Sequence, residues 1–109
     1  GTTHGVYQKQ DTIDLELLAQ LRSSVSIPLV QHGTCGISHD DLSRLVATGM
    51  TKVNFGEPFR FSYIEYFNEL TDTSEHLWHS WRIMRDIKDK LKADMRGLIE
   101  AIGSDGKIP

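Results

Sequence analysis

Apolar and polar positions along the chain fall into two rhythms that take turns. Leu17, Leu18, Leu21 and Val25 recur at helical spacing behind Asp14, a residue suited to capping a helix N-terminus. The run SIPLVQ that follows has no alternation and predicts a short strand buried on both faces, as in a parallel sheet. After the loop HGTCGIS, Ser38 is a candidate N-cap with Asp41 three positions on, an imperfect capping box because Glu or Gln is usual there. Leu42, Leu45 and Val46 give the next helix an apolar face, and Gly49 closes it. TKVNFG predicts a second short strand. Pro58 then opens a third helix, with Phe61, Ile64, Phe67 and Leu70 on one side. Residues 1–12, GTTHGVYQKQDT, read as a loop leaving a strand end.

Beyond TDTS the pattern changes. Leu77, Trp81, Met84, Ile87, Leu91, Met95 and Leu98 recur at three- and four-residue steps among charged residues, which predicts one long amphipathic helix ending near Gly103. It either packs across the domain or forms an oligomer contact, since Trp78 and Trp81 are a large apolar load for one end of a terminal helix. Helices alternating with short strands imply an α/β fold with right-handed crossovers and a parallel sheet. The division expected is residues 1–74 as βα units and 75–109 as a helical extension of the same domain. Two strands cannot cover both faces of a parallel sheet. With glycine rather than methionine as first residue, the expectation is a portion of something larger, or a chain whose partner copies supply the missing strands.

Composition narrows the function classes. The 109 residues are 39% hydrophobic and 25% charged, enough for one small domain. A net charge of −3 gives no basic excess for nucleic acid or an anionic membrane. No apolar run nears the roughly 20 residues of a membrane span, and no signal peptide is visible. The single cysteine precludes an internal disulfide framework and fits a reducing compartment, so the cytoplasm is expected.

His-Gly occurs twice, at His4-Gly5 and His32-Gly33, each where a strand end meets a loop. A lone histidine is more often structural than a ligand. Two with the same glycine, at the end of the sheet that hosts chemistry in α/β folds, bring a metal site into contention. A catalytic zinc needs about three protein ligands and an open position, so two histidines are an incomplete set. His39, His76 and His79 read as surface residues. GTCG offers backbone N–H groups just before a helix, a geometry that favours an anion. Asn54, at the end of the second strand, is either a turn former or an amide that orients a substrate hydroxyl.

Taken together, GTTHGVY, IPLVQHGTCGIS and KVNFGEPFR resemble, in order and spacing, the C-terminal part of the class II, metal-dependent ketose-bisphosphate aldolases. There the segments look like GTxHGxY, IPLVLHGxSG and KxNxxTxxR. The resemblance covers residues 1–70 well, and IGSDGK is similar to the family's usual end. It implies the last strands and helices of a TIM (β/α)8 barrel plus a C-terminal helix. It implies a lyase that cleaves a fructose or tagatose bisphosphate into dihydroxyacetone phosphate and an aldehyde, in a homodimer or homotetramer. By resemblance, His4 and His32 hold a Zn2+ that polarises the ketone as a Lewis acid. Gly5, Gly33, Thr34 and Cys35 hold the dihydroxyacetone-phosphate part and often a monovalent cation, Na+ or K+. Asn54 contacts the substrate near the reacting carbons, and the backbone of Phe55, Gly56 and Glu57 meets the phosphate.

Three departures qualify this. The family's catalytic aspartate and a further ligand histidine lie on earlier strands, so this chain alone is expected to be inactive until joined to the N-terminal part of the barrel. Cys35 replaces a loop serine, exchanging a good hydroxyl donor for a weak thiol. Glu57 replaces a phosphate-binding threonine. At about 5 Å and an effective dielectric near 20, a unit-charge pair repels by roughly 3 kcal/mol. Arg60 could neutralise that carboxylate. Otherwise the protein is an aldolase relative whose substrate is unphosphorylated at the Glu57 end, or a non-catalytic binding or scaffold subunit that keeps the metal histidines.

Overall fold

The structure, a computed structural model, describes residues 12–72 and 78–107. Its elements run α1 (Leu15–Ser24), β1 (Leu29–Gln31), α2 (His39–Ala47), β2 (Met50–Val53), α3 (Glu57–Asp72) and α4 (Ser80–Ala101). Local chemistry sets the starts of the first two helices. Asp14 Oδ1 accepts the Leu17 N–H at 2.9 Å, and Ser38 Oγ accepts the Asp41 N–H at 3.1 Å. Each satisfies an amide that the helix itself cannot. Pro58 sits in the first turn of α3, where its missing N–H costs nothing.

β1 and β2 pair in parallel, with Leu29 opposite Met50, Val30 opposite Lys52 and Gln31 opposite Val53, and with a slip in register between Leu29 and Val30. One more backbone bond, from the Asn54 N–H to the Gln31 carbonyl at 3.0 Å, extends the pairing past the strand ends. Beneath the sheet, Leu18, Leu42 and Leu45 form a buried cluster surrounded by Leu29, Met50, Val53, Phe55 and Leu98. Each fully buried leucine stabilises this arrangement by about 1.5–3 kcal/mol.

α4 packs on α3 and α2. Ile83 and Ile87 are its buried residues. Tyr66 Oη donates to the Asp94 carboxylate at 2.9–3.0 Å, and Lys90 Nζ donates to Glu69 at 2.9–3.0 Å while lying 4.9 Å above the Tyr66 ring. Ser43 Oγ donates to the Ala101 carbonyl at 2.6 Å, which ties α2 to the end of α4. The bounds agree with the expected long helix, although Leu77 and the division at residue 74 lie outside the described residues.

The strand expected to be buried on both faces is open on one, with Val30 of β1 49% exposed, and the expected apolar side of α3 stands open too. Phe61, Ile64 and Phe67 are not buried. They are 39%, 55% and 41% exposed, because α3 turns Phe59, Ser62, Tyr63 and Tyr66 toward α4 instead. Leu17 and Leu21 of α1 are likewise exposed, next to Val30 of β1. The radius of gyration, 17.0 Å, exceeds the roughly 13 Å of a compact domain of this length. The described residues form an open layer, with exposed apolar side chains on α1 and β1 and on α3. Among the described residues, no helix is long and apolar enough to cross a membrane.

The Tyr66–Asp94 hydrogen bond, then burial, then the Asp94 charge, raise the Tyr66 pKa above its ordinary value. A phenol held neutral in this way stabilises the fold fully below the unfolded-state value of about 10. That contribution is lost as pH rises through the higher folded-state value. Tyr66→Phe should therefore destabilise the protein by about 1 kcal/mol at neutral pH and flatten the alkaline fall in denaturant stability. Equal alkaline slopes for the two proteins would refute the assignment.

Candidate active site at the strand ends

Both strands end at the same side of the layer, and the residues that follow them form the site. His32 comes directly after β1 and its side chain is exposed; Asn54 comes directly after β2 and is half-buried. The sheet register brings the two together. Asn54 Nδ2 lies 3.4 Å from His32 Nδ1, at the outer limit of hydrogen bonding. An amide offers a donor on one side and an acceptor on the other, so Asn54 can serve either tautomer of the imidazole.

The loop from His32 to Ser38 is shaped by its glycines. Gly33 and Gly36 have φ of 82° and 76°, in the left-handed region where a Cβ is penalised. A turn closes between them and the helix, with the Ile37 N–H donating to the Thr34 carbonyl at 3.3 Å. The glycine content thus has a conformational cause, besides any need for backbone to approach a ligand. Gly56 differs: its φ is not positive, and a Cβ there would meet nothing within 4 Å.

The other expected residues separate into two groups. Cys35, Phe55 and Glu57 are half-buried around the loop ends, with Phe55 set edge-on to Phe59 at a centroid distance of 6.4 Å. Thr34 is turned away from solvent, 3% exposed, and its hydroxyl donates to the Asn54 carbonyl at 3.0 Å. Its hydroxyl proton is thus committed to tying the loop to the end of β2. His4 and Gly5 lie outside the described residues. His39 and His79 are exposed, as expected of surface residues, and His76 is outside the described residues.

Electrostatics at this end are mixed. Ser38 Oγ already accepts the Asp41 N–H at the start of α2, the Asp40 and Asp41 carboxylates stand in its first turn, and Glu57 opens α3. An anion here would depend on the loop amides more than on free helix ends. Among the described residues, no three His, Cys, Asp or Glu side chains gather as a metal-ion cluster.

One buried residue had no place among the expected site residues. Gln31 is 6% exposed, and its Nε2 donates to the His32 and Gly33 carbonyls at 3.1 and 3.0 Å. The signal was present in the sequence, as a polar residue closing an otherwise apolar strand.

The family model for class II fructose-bisphosphate aldolase matches residues 1–107. The chain belongs to the class II fructose-bisphosphate aldolases. Among solved structures it is similar to the YdjI aldolase from Escherichia coli K12, with 30% sequence identity and a TM-score of 0.78. That match covers 100% of this chain and 39% of the YdjI chain, so the aldolase-family chain described here spans well under half the length of that relative. His32 and Asn54 fall in the segments that carry the family resemblance.

Gly33→Ala and Gly36→Ala should each destabilise the protein by about 1–2 kcal/mol through φ alone, while Gly56→Ala should be close to neutral. Guanidinium unfolding checks this, and equal costs at all three positions would sink the conformational account of the loop.

Proposed function

We propose that this chain supplies the last βα units of a (β/α)8 barrel in a zinc-dependent class II aldolase. The complete enzyme would reversibly cleave a ketose bisphosphate, fructose or tagatose, to dihydroxyacetone phosphate and an aldehyde. The observation that carries the reading is the His32–Asn54 pair at 3.4 Å, at the ends of adjacent parallel strands, in a chain of this family. In barrel enzymes the chemistry sits at that end of the strands. The exposed apolar flanks support the barrel: Leu17, Leu21 and Val30 line a groove of about 200 Å³ beside β1, and Phe61 and Ile64 stand open on α3. Neighbouring βα units would cover both.

His32 and His4 are the residues of this chain that would hold the zinc, with further ligands from earlier strands. A divalent cation there supplies Lewis acidity at the substrate carbonyl. Asn54 would orient both the His32 ring and a substrate hydroxyl. The amides of Gly33 to Cys35 and of Phe55 to Glu57 would bind the phosphorylated end, with Na+ or K+ as a companion ion. The catalytic aspartate would come from an earlier strand, so the chain by itself is inactive in this reading. The reading also carries a cytoplasmic location and a homodimer or homotetramer.

Glu57 favours a second reading, an aldolase relative whose substrate is unphosphorylated at that end. A carboxylate in the first turn of α3 occupies the position of the family's threonine and would repel a phosphate by several kcal/mol unless neutralised.

In the complete polypeptide, metal analysis should find stoichiometric zinc, and His32→Ala should lose most of it along with at least 100-fold in aldol cleavage. Full zinc retention in His32→Ala would refute the ligand assignment. Zinc without cleavage of either bisphosphate would favour the second reading or a scaffold subunit. Separately, Glu57→Thr should lower KM for a bisphosphate about tenfold or more if the carboxylate opposes phosphate. An unchanged KM would rule out the second reading.

A further inference from the structure

A cavity of about 460 Å³ opens between α2, α3 and α4, next to the loops that follow the two strands. Its size falls within the roughly 300–1,000 Å³ of small-molecule sites. The walls described here come from these three helices and the two loops, and neither His32 nor Asn54 lines them. Leu42, which is fully buried, and Leu98 give the cavity an apolar side. On α4 the lining residues Ala93 and Gly97 stand one turn apart, and their small size keeps the helix from filling the space. A Cβ at Gly97 would already lie 3.2 Å from His39 Cε1 at the start of α2.

The polar lining has one sign. Among the described residues, Asp94 is the one carboxylate that lines the cavity, and no lysine or arginine does. Tyr66 Oη donates to its two oxygens at 2.9–3.0 Å. That uses one proton, whereas a carboxylate has about four lone-pair sites, so Asp94 keeps acceptor capacity for a ligand. Phe55 and Phe59 line the same space, their rings inclined at 66° with centroids 6.4 Å apart. The face of an aromatic ring is negative and attracts cations. The starts of α2 and α3 would favour an anion, but Asp40, Asp41 and Glu57 in their first turns offset that. The same two helices already seat one cation nearby: Lys90 Nζ stands 4.9 Å from the Tyr66 ring centroid, with Glu69 as counter-ion at 2.9 Å.

We propose that this cavity binds a small organic cation, an ammonium group carried on a compact apolar body, with Asp94 as counter-ion and Phe55 and Phe59 as aromatic walls. The site makes no use of zinc or of His32, so it stands apart from the reading of the strand ends. In the complete polypeptide, benzylammonium titrated by calorimetry should bind. Benzyl alcohol, nearly the same shape without the charge, should bind about tenfold more weakly. Asp94→Asn keeps an acceptor for Tyr66 and removes the charge; it should weaken benzylammonium about tenfold and leave benzyl alcohol unchanged. Ala93→Leu fills the cavity from α4 and should abolish binding of both probes, while His32→Ala should alter neither. Circular dichroism checks that each variant folds; should Asp94→Asn fail to, the alcohol comparison and Ala93→Leu still decide. No binding of benzylammonium to the native polypeptide, equal affinity for amine and alcohol, or native affinity in Ala93→Leu overturns the proposal. Loss of binding in His32→Ala overturns it too, because the amine then sits at the strand ends.

Discussion

Parallel pairing of two very short strands is the constraint on which the rest of this structure depends. His32 and Asn54 are 22 positions apart in sequence, and they meet because Gln31 faces Val53 and the next backbone bond joins Asn54 to Gln31. A shift of one residue would put the opposite side chains of each strand toward the core. The buried cluster of Leu18, Leu42 and Leu45 opposes such a shift from below, because Leu29, Met50 and Val53 must all pack against it. Strand pairing and core packing thus enforce one another, and the chemistry at the strand ends inherits its precision from both.

Around that fixed point, freedom and restraint are divided among neighbouring residues. Gly33 and Gly36 let the chain turn through left-handed backbone and enter α2. Gln31 and Thr34 then remove the freedom the glycines introduced. The acidic first turns of α2 and α3 temper the positive ends of those helices on the side where an anionic substrate would arrive.

Much of this was legible in the sequence where the cause is local. Asp14 and Ser38 announce helix starts because a side-chain oxygen two or three residues ahead of an amide is a short-range affair. The strands before His32 and Asn54, the proline at the start of α3 and the repeat along α4 are equally local signals. The exposed side of α3 was not legible. Spacing says that Phe61, Ile64 and Phe67 share a side, but only the packing of α4 decides that Phe59 and Tyr63 are the ones covered. The role of Thr34 was hidden for a related reason. Its bond to Asn54 spans 20 positions and exists only once the strands pair. The left-handed backbone of Gly33 and Gly36 was hidden as well, because it depends on how the loop turns into α2.

The start of α4 carries a consequence of another kind. Trp78 and Trp81 are the only tryptophans in the chain, they are 89% and 59% exposed, and the guanidinium groups of Arg82 and Arg85 stand 5.2 and 5.8 Å from the Trp81 ring centroid. Indole emission from this chain is therefore a local optical reporter. It reports on the start of the last helix, where both indoles stand open to solvent.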